Sequence, residues 1–266
     1  PPILKPPQMP CSQIYVSLGR GATGVVYRAL QISLNRIVAL KVLHPPSDQS
    51  QAESHTRAQK AIELFRQEAE RVANLKDDHI VEVYDFGEHE GLLFFAMELA
   101  DGGSLAKTLK KKPLSPIEAA RQIEPIARSL ARLHEQQVIH RDLKPANLLR
   151  IGEKIKLADF GLATCSNRPS QGRPQIVGTP PYMAPEQTTW EEAEPRTVSD
   201  IYALGVTMYE ALTGQPPFRG STPEEIFEQA RKPRPLTSST ATRPSTARSD
   251  LPEVPGKRSK ETLSER

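Results

Sequence analysis

The hydrophobic pattern of the chain changes its period at Gly102-Gly103, and this change constrains the fold more than any other feature. Before these glycines, β-branched and aromatic residues alternate with turn signals. That pattern predicts a three-stranded antiparallel meander over residues 14–43 and two further strands near residues 80–86 and 92–99. Beyond the glycines, apolar residues recur at helical spacing. The sequence therefore predicts an α+β chain with two lobes and a cleft between them.

Helices are predicted on both sides of this change. Residues 54–75 place their apolar side chains on one helical stripe. A second helix is expected to begin near Ser115, because Pro116 suits the first turn and Glu118 completes a capping box. Its apolar pattern continues to about Glu135, so a long helix is expected here.

The two ends of the chain differ in composition from its centre. Residues 1–12 are proline-rich and lack periodicity, which indicates an extended, disordered arm. An apolar helix is predicted over residues 198–213, with Gly214 as its C-terminal stop. After about Arg231, Ser, Thr, Pro, Arg and Lys dominate, so a disordered basic tail is expected over residues 232–266.

Composition narrows the class of protein. A chain of 266 residues with 37% hydrophobic residues can form one two-lobed domain with a sizeable core. A net charge of +3 is too small to indicate a nucleic-acid partner. No apolar run approaches the roughly 18–20 residues that cross a bilayer, so no membrane segment is expected in this chain. Cys11 and Cys165 have no metal-ligand spacing, which favours two unpaired thiols in a reducing cytoplasm.

Two short segments concentrate the side chains that can carry chemistry, His140-Arg141-Asp142-Leu143-Lys144-Pro145-Ala146-Asn147 and Asp159-Phe160-Gly161. Together they supply a candidate base in Asp142, a phosphate-facing cation in Lys144, and oxygen ligands for a metal in Asn147 and Asp159. Each acid alone could be a turn or cap residue. It would be improbable for four such residues to occur at this spacing by chance, each only as a turn or cap residue.

Upstream, Gly19, Gly21 and Gly24 lie between two predicted strands. Backbone N–H groups approach phosphate oxygens closely only where no Cβ intrudes, so this loop can bind a nucleotide. A simple hairpin is the alternative. Lys41 follows in an apolar strand, where it is either a phosphate-binding cation or a lysine whose stem extends to the surface.

The order and spacing of these segments resemble the Gly-rich, catalytic and metal-binding loops of the protein kinase family. Residues 178–186 likewise resemble the end of a kinase activation segment. The resemblance spans roughly residues 14–230 and is strongest to bacterial serine/threonine kinases of the eukaryotic-like type. It implies an N-lobe over residues 13–98, with an antiparallel sheet and one helix. A mainly helical C-lobe over residues 99–231 would lack the last helices of the family.

The resemblance assigns roles to the catalytic residues. Asp142 would orient the substrate hydroxyl and Lys144 would neutralise charge on the transferred phosphoryl group. Asn147 and Asp159 would hold Mg²⁺, with Mn²⁺ as a possible substitute. Lys41 would contact the α- and β-phosphates. Its partner on the predicted helix over residues 54–75 would be Glu68, with Glu63 and Glu70 as rivals.

The same resemblance implies a nucleotide site. The residues implied to bind ATP are Leu18, Gly19, Gly21, Gly24, Val26, Ala39, Lys41, Met97, Glu98, Ala100 and Leu149. Val26, Ala39 and Leu149 would enclose the adenine and Met97 would lie at the back of the pocket. The backbones of Glu98 and Ala100 would offer hydrogen bonds to the base.

Three further residues are matched in the same way. Asp200 would anchor the backbone of the catalytic loop, whereas Lys144 and Thr179 together imply specificity for Ser and Thr over Tyr. Without the last helices, Glu186 would lack its usual arginine partner and remain an unpaired carboxylate.

The resemblance implies a serine/threonine protein kinase that uses ATP and Mg²⁺ on protein substrates, with autophosphorylation as a further expectation. Two alternatives belong to other functional classes. One is a truncated kinase-like binding module that holds a nucleotide or partner without turnover, which the lack of the last helices would favour. The other is a small-molecule phosphotransferase with the same fold, which residues 178–186 oppose because such enzymes need no platform for protein substrates.

Overall fold

The computed structural model describes residues 12–21, 24–43, 70, 76–159, 178–188 and 196–232. These residues all belong to one compact unit that comprises residues 1–233. Most of the helix predicted over residues 54–75 falls outside them, and so do the predicted tail and all of the predicted arm except Ser12. Glu70 is described, and it is helical and exposed.

The N-lobe contains one antiparallel sheet of five strands in the order β1-β2-β3-β5-β4. Its strands are β1 (Ser12–Arg20), β2 (Gly24–Gln31), β3 (Arg36–Leu43), β4 (Val83–His89) and β5 (Leu92–Met97). The predicted meander is confirmed by the pairing of β1 with β2 and of β2 with β3.

The strand predicted over residues 80–86 begins three residues later, at Val83. Ile80 instead forms an isolated bridge with Leu157, and the Val81 N–H donates to the Leu157 carbonyl at 2.9 Å. The apolar run is therefore shared between the N-lobe sheet and a C-lobe strand. The strand predicted over residues 92–99 ends at Met97.

Strand β3 is buried on both faces, which explains its nearly continuous apolar sequence. Val38, Leu40 and Val42 pack with β2 residues in one core. Ala39 and Leu43 belong to a second core on the opposite face. Since side chains alternate along a strand, Lys41 shares the face of Ala39.

The described part of the C-lobe is built mainly from α-helices. These are α1 (Leu105–Leu109), α2 (Pro116–Glu135), α3 (Thr197–Thr213) and α4 (Pro223–Arg231). A two-stranded antiparallel sheet of β6 (Leu148–Ile151) and β7 (Lys154–Leu157) carries the segment between the two chemical motifs. None of the helices described is long and apolar enough to cross a membrane.

The sequence signals predicted for the two long helices mark the start of α2 and the end of α3. The Ser115 hydroxyl accepts from the Glu118 N–H at 3.3 Å, and the Glu118 carboxylate accepts from the Ser115 N–H at 2.9 Å. This reciprocal capping box starts α2. Helix α3 ends at Gly214, whose φ of +81° is the left-handed conformation that glycine adopts at little cost.

The main core of the C-lobe lies between α2, α3 and the β6–β7 sheet. Leu130 and Leu133 on α2 are fully buried, as are Leu148 on β6 and Leu157 on β7. Burial of each such leucine contributes about 1.5–3 kcal/mol relative to leaving it exposed. This core fixes both ends of the loop between α2 and β6. That loop contains residues 140–147, the first of the two chemical motifs.

Candidate active site

The loop between α2 and β6 is fixed by hydrogen bonds to the carboxylate of Asp200, which is buried on α3. Asp200 Oδ2 accepts from the His140 backbone N–H at 2.8 Å, and Oδ1 accepts from the Arg141 N–H at 2.9 Å. Arg141 has a φ of +71°, a conformation that non-glycine residues adopt only when their surroundings enforce it. The contact fixes the backbone immediately before Asp142.

The imidazole of His140 links the two motifs. It is fully buried, and its Nε2 lies 2.9 Å from the carbonyl of Ala158, the residue before Asp159. Its Nδ1 lies 3.3 Å from the Asp142 backbone nitrogen. These partners assign the proton to Nε2, because an N–H donor at Asp142 requires Nδ1 to accept. One side chain therefore sets the relative position of Asp142 and Asp159.

Asp142, Lys144 and Thr179 form a closed hydrogen-bonded triangle. Lys144 Nζ donates to Asp142 Oδ2 and to Thr179 Oγ1, both at 2.6 Å. Thr179 Oγ1 donates to Asp142 Oδ1 at 2.7 Å. All three side chains are only partly buried, so an incoming hydroxyl can reach the carboxylate. The structure thus brings together the predicted base, the predicted phosphate-facing cation and the threonine of the activation segment.

Asn147 is oriented by the same carboxylate. Its side-chain Nδ2 donates to the Asp142 carbonyl at 2.8 Å and lies 3.3 Å from Asp142 Oδ2. The amide oxygen of Asn147 therefore keeps its acceptor capacity for another ligand. The Ala158 N–H donates to the Asn147 carbonyl at 2.9 Å, which ties Asn147 to the segment that carries Asp159. An amide oxygen and a carboxylate are ligands that Mg²⁺ accepts, so this pair fits that ion.

Lys41 and Asp159 form an ion pair across 118 residues of sequence, with Lys41 Nζ 2.8 Å from Asp159 Oδ1. Lys41 is 4% exposed, so its buried ammonium requires a charged partner. This burial excludes a stem that extends to the surface. Asp159 has a φ of +64°, which again marks an enforced backbone conformation. The predicted partner Glu68 and its rival Glu63 lie outside the described residues.

The four side chains predicted to surround the adenine lie in one apolar cluster. Ala39 and Met97 are buried members of it, and Val26 and Leu149 pack against them. Ala39 and Met97 are also register partners in the pairing of β3 with β5. The sheet therefore sets the spacing between the predicted wall and back of the pocket.

The backbones of Glu98 and Ala100 are the groups predicted to hydrogen-bond the base, and one of their donors is already occupied. The Glu98 N–H donates to the Glu82 carbonyl at 2.9 Å, which occupies that donor and leaves the Glu98 carbonyl. Among the described residues, the N–H of Ala100 has no backbone partner. The Glu98 carboxylate is bound by Lys156 Nζ at 2.7 Å, so this segment is fixed to β7. A base would therefore meet one carbonyl and one N–H here.

The glycine loop is open at its outer end and tight at its inner end. Leu18 is 51% exposed, and a Cβ added to Gly19 would meet no atom within 4 Å. The Gly21 N–H donates to the Gly24 carbonyl at 2.9 Å and closes the turn. A Cβ at Gly24 would lie 2.2 Å from the Val42 carbonyl oxygen, so only glycine fits. This last glycine is required by strand packing.

Tyr182 is a site residue that sequence reasoning missed. Its hydroxyl donates to Glu210 Oε2 at 2.5 Å, and its ring packs against the main C-lobe core. Burial raises the pKa of Tyr182, and the hydrogen bond to Glu210 raises it further, so the phenol stays protonated. The bond fastens the turn that follows Thr179 to helix α3. The sequence feature that could have identified Tyr182 is its position within residues 178–186.

Glu186 differs from its prediction. The sequence predicts an unpaired carboxylate, but Glu186 Oε1 accepts from the Ser199 hydroxyl at 3.0 Å. Ser199 is buried in the first turn of α3, one residue before Asp200. Glu186 therefore joins the end of the activation segment to the helix that holds the catalytic loop.

Comparison with known proteins agrees with this geometry. The family model for the protein kinase domain matches residues 12–262. The chain is 36% identical over 221 residues to the serine/threonine-protein kinase PknL of Mycobacterium tuberculosis, covering 81% of this chain and 52% of that protein. It is 35% identical over 227 residues to the serine/threonine-protein kinase pkn2 of Myxococcus xanthus, covering 82% of this chain and 26% of that protein.

A third relative is the serine/threonine-protein kinase PrkC of Bacillus subtilis, with 35% identity over 218 residues that cover 80% of this chain and 32% of that protein. The chain thus matches between about a quarter and about half of the length of these relatives. The family model's match includes the N-lobe sheet, the loop between α2 and β6 and residues 178–186. On this sequence match and the fold described above, the chain belongs to the protein kinase family.

Proposed function

We propose that this domain transfers the γ-phosphoryl group of ATP to Ser and Thr hydroxyls of protein substrates. The observation that carries the proposal is the triangle of Asp142, Lys144 and Thr179, with its three distances of 2.6–2.7 Å. A carboxylate, a cation and a hydroxyl held at these distances can align a nucleophile and stabilise negative charge without moving.

In this mechanism the substrate hydroxyl approaches Asp142, which orients it and accepts its proton. The hydroxyl oxygen forms a bond to the γ-phosphorus as the bond from that phosphorus to the bridging oxygen of ADP breaks. Lys144 offsets the charge on the transferred group. Thr179 fixes the relative positions of Lys144 and Asp142 through its hydrogen bonds to both. The main contribution of these residues is alignment, because phosphoryl transfer needs little base strength.

ATP would bind between the lobes, with adenine against Val26, Ala39 and Leu149. The Glu98 carbonyl and the Ala100 N–H are the groups left to recognise the base. Lys41 would turn from Asp159 toward the phosphates or serve both, since an ammonium has three donors. Asn147 and Asp159 would hold Mg²⁺, which would supply positive charge to offset that of the phosphates.

The two alternative functions predict different outcomes. A binding module would hold ATP without turnover, and the intact set of Lys41, Asp142, Asn147 and Asp159 opposes it. A small-molecule phosphotransferase would ignore proteins, and the joining of Tyr182 to α3 favours a preformed platform for a peptide instead. We also propose autophosphorylation as an activity of the domain and the cytoplasm as its location, which the spacing of its two cysteines supports.

The test is incubation of the purified chain with γ-labelled ATP, Mg²⁺ and a generic protein substrate, followed by identification of the labelled amino acid. We expect phosphoserine and phosphothreonine. The variant Asp142→Asn should lose about 100-fold or more of the rate. Asp78→Asn is the matched control, because its carboxylate is 78% exposed and pairs only with surface Lys154 among the described residues. Label in tyrosine, or equal rates for parent and Asp142→Asn, would refute the proposal.

A further inference from the structure

Helix α1 and the turn that follows it carry a patch of positive charge. The lysine patch consists of four side chains, all of them exposed: Lys107, Lys110, Lys111 and Lys112. No acidic residue occurs between Asp101 and Glu118. The patch therefore places four positive charges within six positions of a chain whose net charge is only +3.

The lysines of the patch form no ion pair with any described residue, unlike most of the other lysines that the structure describes. Five lysines outside the patch each pair with a carboxylate: Lys41, Lys144, Lys154, Lys156 and Lys232. The Asp101 carboxylate is engaged elsewhere, since it accepts from the Gly152 N–H at 3.1 Å. Hydrogen bonds from Ser115 lower the pKa of Glu118, and the charge of Lys112 lowers it further without forming an ion pair. The patch thus keeps its capacity for an anionic partner.

The stability of α1 does not account for this concentration of charge. Cations at the C-terminus of a helix interact favourably with its dipole, but α1 has only five residues and the effect is confined to the last turn. Lys107 and Lys110 lie about one turn apart, and like charges that are neighbours on a helix surface repel each other. Binding of an anionic group among the lysines would offset that repulsion.

The lysine patch lies beside the catalytic loop, because α1 packs against that loop. Leu105 and Leu109 form the buried face of α1. They share the main C-lobe core with Leu143 and Leu148, which lie on either side of the turn Pro145–Asn147. Helix α1 also contacts this turn and β6 directly. A segment bound to the outer face of α1 is therefore separated from the catalytic loop by about one helix diameter, roughly 10 Å.

We propose that the lysine patch is a docking subsite for acidic segments of protein substrates. Its ammonium groups bind Asp and Glu side chains that lie a few residues from the Ser or Thr that accepts the phosphoryl group. An extended chain advances about 3.3 Å per residue, so about three residues span the width of α1. The nearness of the catalytic loop favours a substrate segment over a membrane or a nucleic acid, because neither of these needs to approach that loop.

This inference names a substrate class for the proposed function and rests on that function for its kinetic consequence, whereas peptide binding is independent of turnover. The binding test uses the full chain and fluorescein-labelled peptides without ATP. One peptide carries four glutamates that end three residues before a central serine, and a second carries them from three residues after it. Glutamine replaces glutamate in the control peptides. We expect fluorescence anisotropy to show that at least one acidic peptide binds about tenfold more tightly than its control.

The triple variant Lys110→Gln, Lys111→Gln and Lys112→Gln should lose this preference, since about twofold for each exposed ion pair multiplies to roughly tenfold. The preference should also disappear at high salt, because exposed charges are screened. Equal affinity of the parent for the acidic and glutamine peptides would overturn the proposal, and so would a parental preference in the triple variant.

A matched variant controls for net charge. Lys76→Gln, Lys154→Gln and Lys232→Gln in one chain remove three charges at exposed positions outside the patch. This variant should keep the parental preference for the acidic peptide. A loss as large as that of the patch variant would mean that the attraction is unspecific and would overturn the proposal.

Phosphorylation of the same peptides separates docking from catalysis. In the triple patch variant, KM for the preferred acidic peptide should rise by about tenfold, while kcat and KM for ATP stay nearly unchanged. An unchanged KM for that peptide would overturn the proposal. An inactive parent would refute the proposed function, and the anisotropy measurement would still decide whether the patch binds acidic segments.

Vesicles of phosphatidylserine in phosphatidylcholine and a single-stranded oligonucleotide test the other anionic partners. We expect the parent and the triple patch variant to bind each of them equally. If the triple variant loses binding to either one but keeps the preference for the acidic peptide, the patch serves that partner and the proposal is overturned.

Discussion

Thr179 Oγ1 donates a hydrogen bond of 2.7 Å to Asp142 Oδ1, although the two residues are 37 positions apart in sequence. The hydroxyl also accepts from Lys144, so it is the member of the triangle that contacts both charged groups. Thr179 thereby connects the end of the activation segment to the catalytic loop. A change in this one side chain should alter the rate without altering nucleotide binding.

The first prediction follows from that relationship. Thr179→Val keeps the shape of the side chain but removes the hydroxyl, so kcat should fall by about tenfold or more while KM for ATP stays nearly constant. Thr179→Ser keeps the hydroxyl and should retain most of the parental kcat. Steady-state kinetics of the two purified variants provide the measurement. A valine variant as active as the serine variant would contradict the role given to the hydroxyl.

The second prediction concerns the buried ammonium of Lys41. Lys41→Met keeps the volume of the stem and removes the charge, so phosphotransfer should fall by about 100-fold or more. The melting temperature should change little, because Asp159 is 35% exposed and water can solvate its carboxylate. Lys154→Met, which removes a 49% exposed lysine paired with Asp78, is the matched control and should remain active. Undiminished turnover in Lys41→Met would exclude phosphate binding by Lys41.

The third prediction tests the metal ligands. Asp159→Asn should remove most activity, and raised Mg²⁺ should restore little of it, because the carboxylate charge is what would hold the ion against the phosphates. Turnover measured over a Mg²⁺ titration for parent and variant provides the comparison. A variant that reaches the parental rate at high Mg²⁺ would indicate that the charge of Asp159 is dispensable.

Local signals were sufficient for the long elements. The alternation along β1–β3 and the capping box at Ser115 and Glu118 determine their elements with contacts close in sequence, and each appears in the structure as predicted. The short helices α1 and α4 were missed, because one or two turns give too little apolar repeat. Helix α4 did carry a signal, since Thr222 caps it by accepting from the Glu225 N–H at 3.3 Å.

Tertiary contacts decide the features that sequence reasoning could not predict. The start of β4 is displaced because Ile80 pairs with Leu157, 77 positions away. The sequence predicts a backbone hydrogen bond from Glu98 to the base but not which group makes it, and the structure leaves the carbonyl because the Glu98 N–H donates to Glu82. Motif spacing brought Asp142 and Lys144 together in the prediction, but the bond between Lys41 and Asp159 depends on the closeness of two lobes. Such relations follow from packing, which periodicity does not encode.

The fourth prediction distinguishes two glycines of the same loop. Gly24→Ala should destabilise the domain by about 1–3 kcal/mol, because its Cβ would lie 2.2 Å from the Val42 carbonyl oxygen and force β2 away from β3. Gly19→Ala meets open space and should cost less than about 0.5 kcal/mol. Urea unfolding of both variants provides the comparison. Equal midpoints would show that the loop rearranges around Gly24.

The last prediction concerns Asp77, which binds the loop before β4 to helix α2. Asp77 Oδ1 accepts from the His79 N–H at 2.8 Å and from the Ser129 hydroxyl at 2.7 Å, and Oδ2 pairs with Arg132. Burial by itself would raise the pKa of Asp77. The hydrogen bonds from His79, Ser129 and Arg132 together outweigh it and hold that pKa below its ordinary value.

A lowered pKa in the folded state fixes the sign of the pH dependence. The ionised Asp77 contributes stability that is fully present above the unfolded-state pKa of about 3.9 and is lost as pH falls through the lower folded-state value. Asp77→Asn should therefore cost about 1.5–3 kcal/mol at neutral pH. The free energy of unfolding of this variant should also fall less steeply than that of the parent below about pH 4.

Urea unfolding of parent and Asp77→Asn at pH 7, 5, 4 and 3 measures both effects. The neighbouring Asp78→Asn is the control, since Asp78 is exposed and its loss should leave the free energy of unfolding at neutral pH nearly unchanged. Parallel pH profiles for the parent and Asp77→Asn would mean that the Asp77 carboxylate is not held in its ionised form. A parental free energy at neutral pH would mean that the loop before β4 is fixed to α2 by its other contacts, the bridge of Ile80 with Leu157 among them.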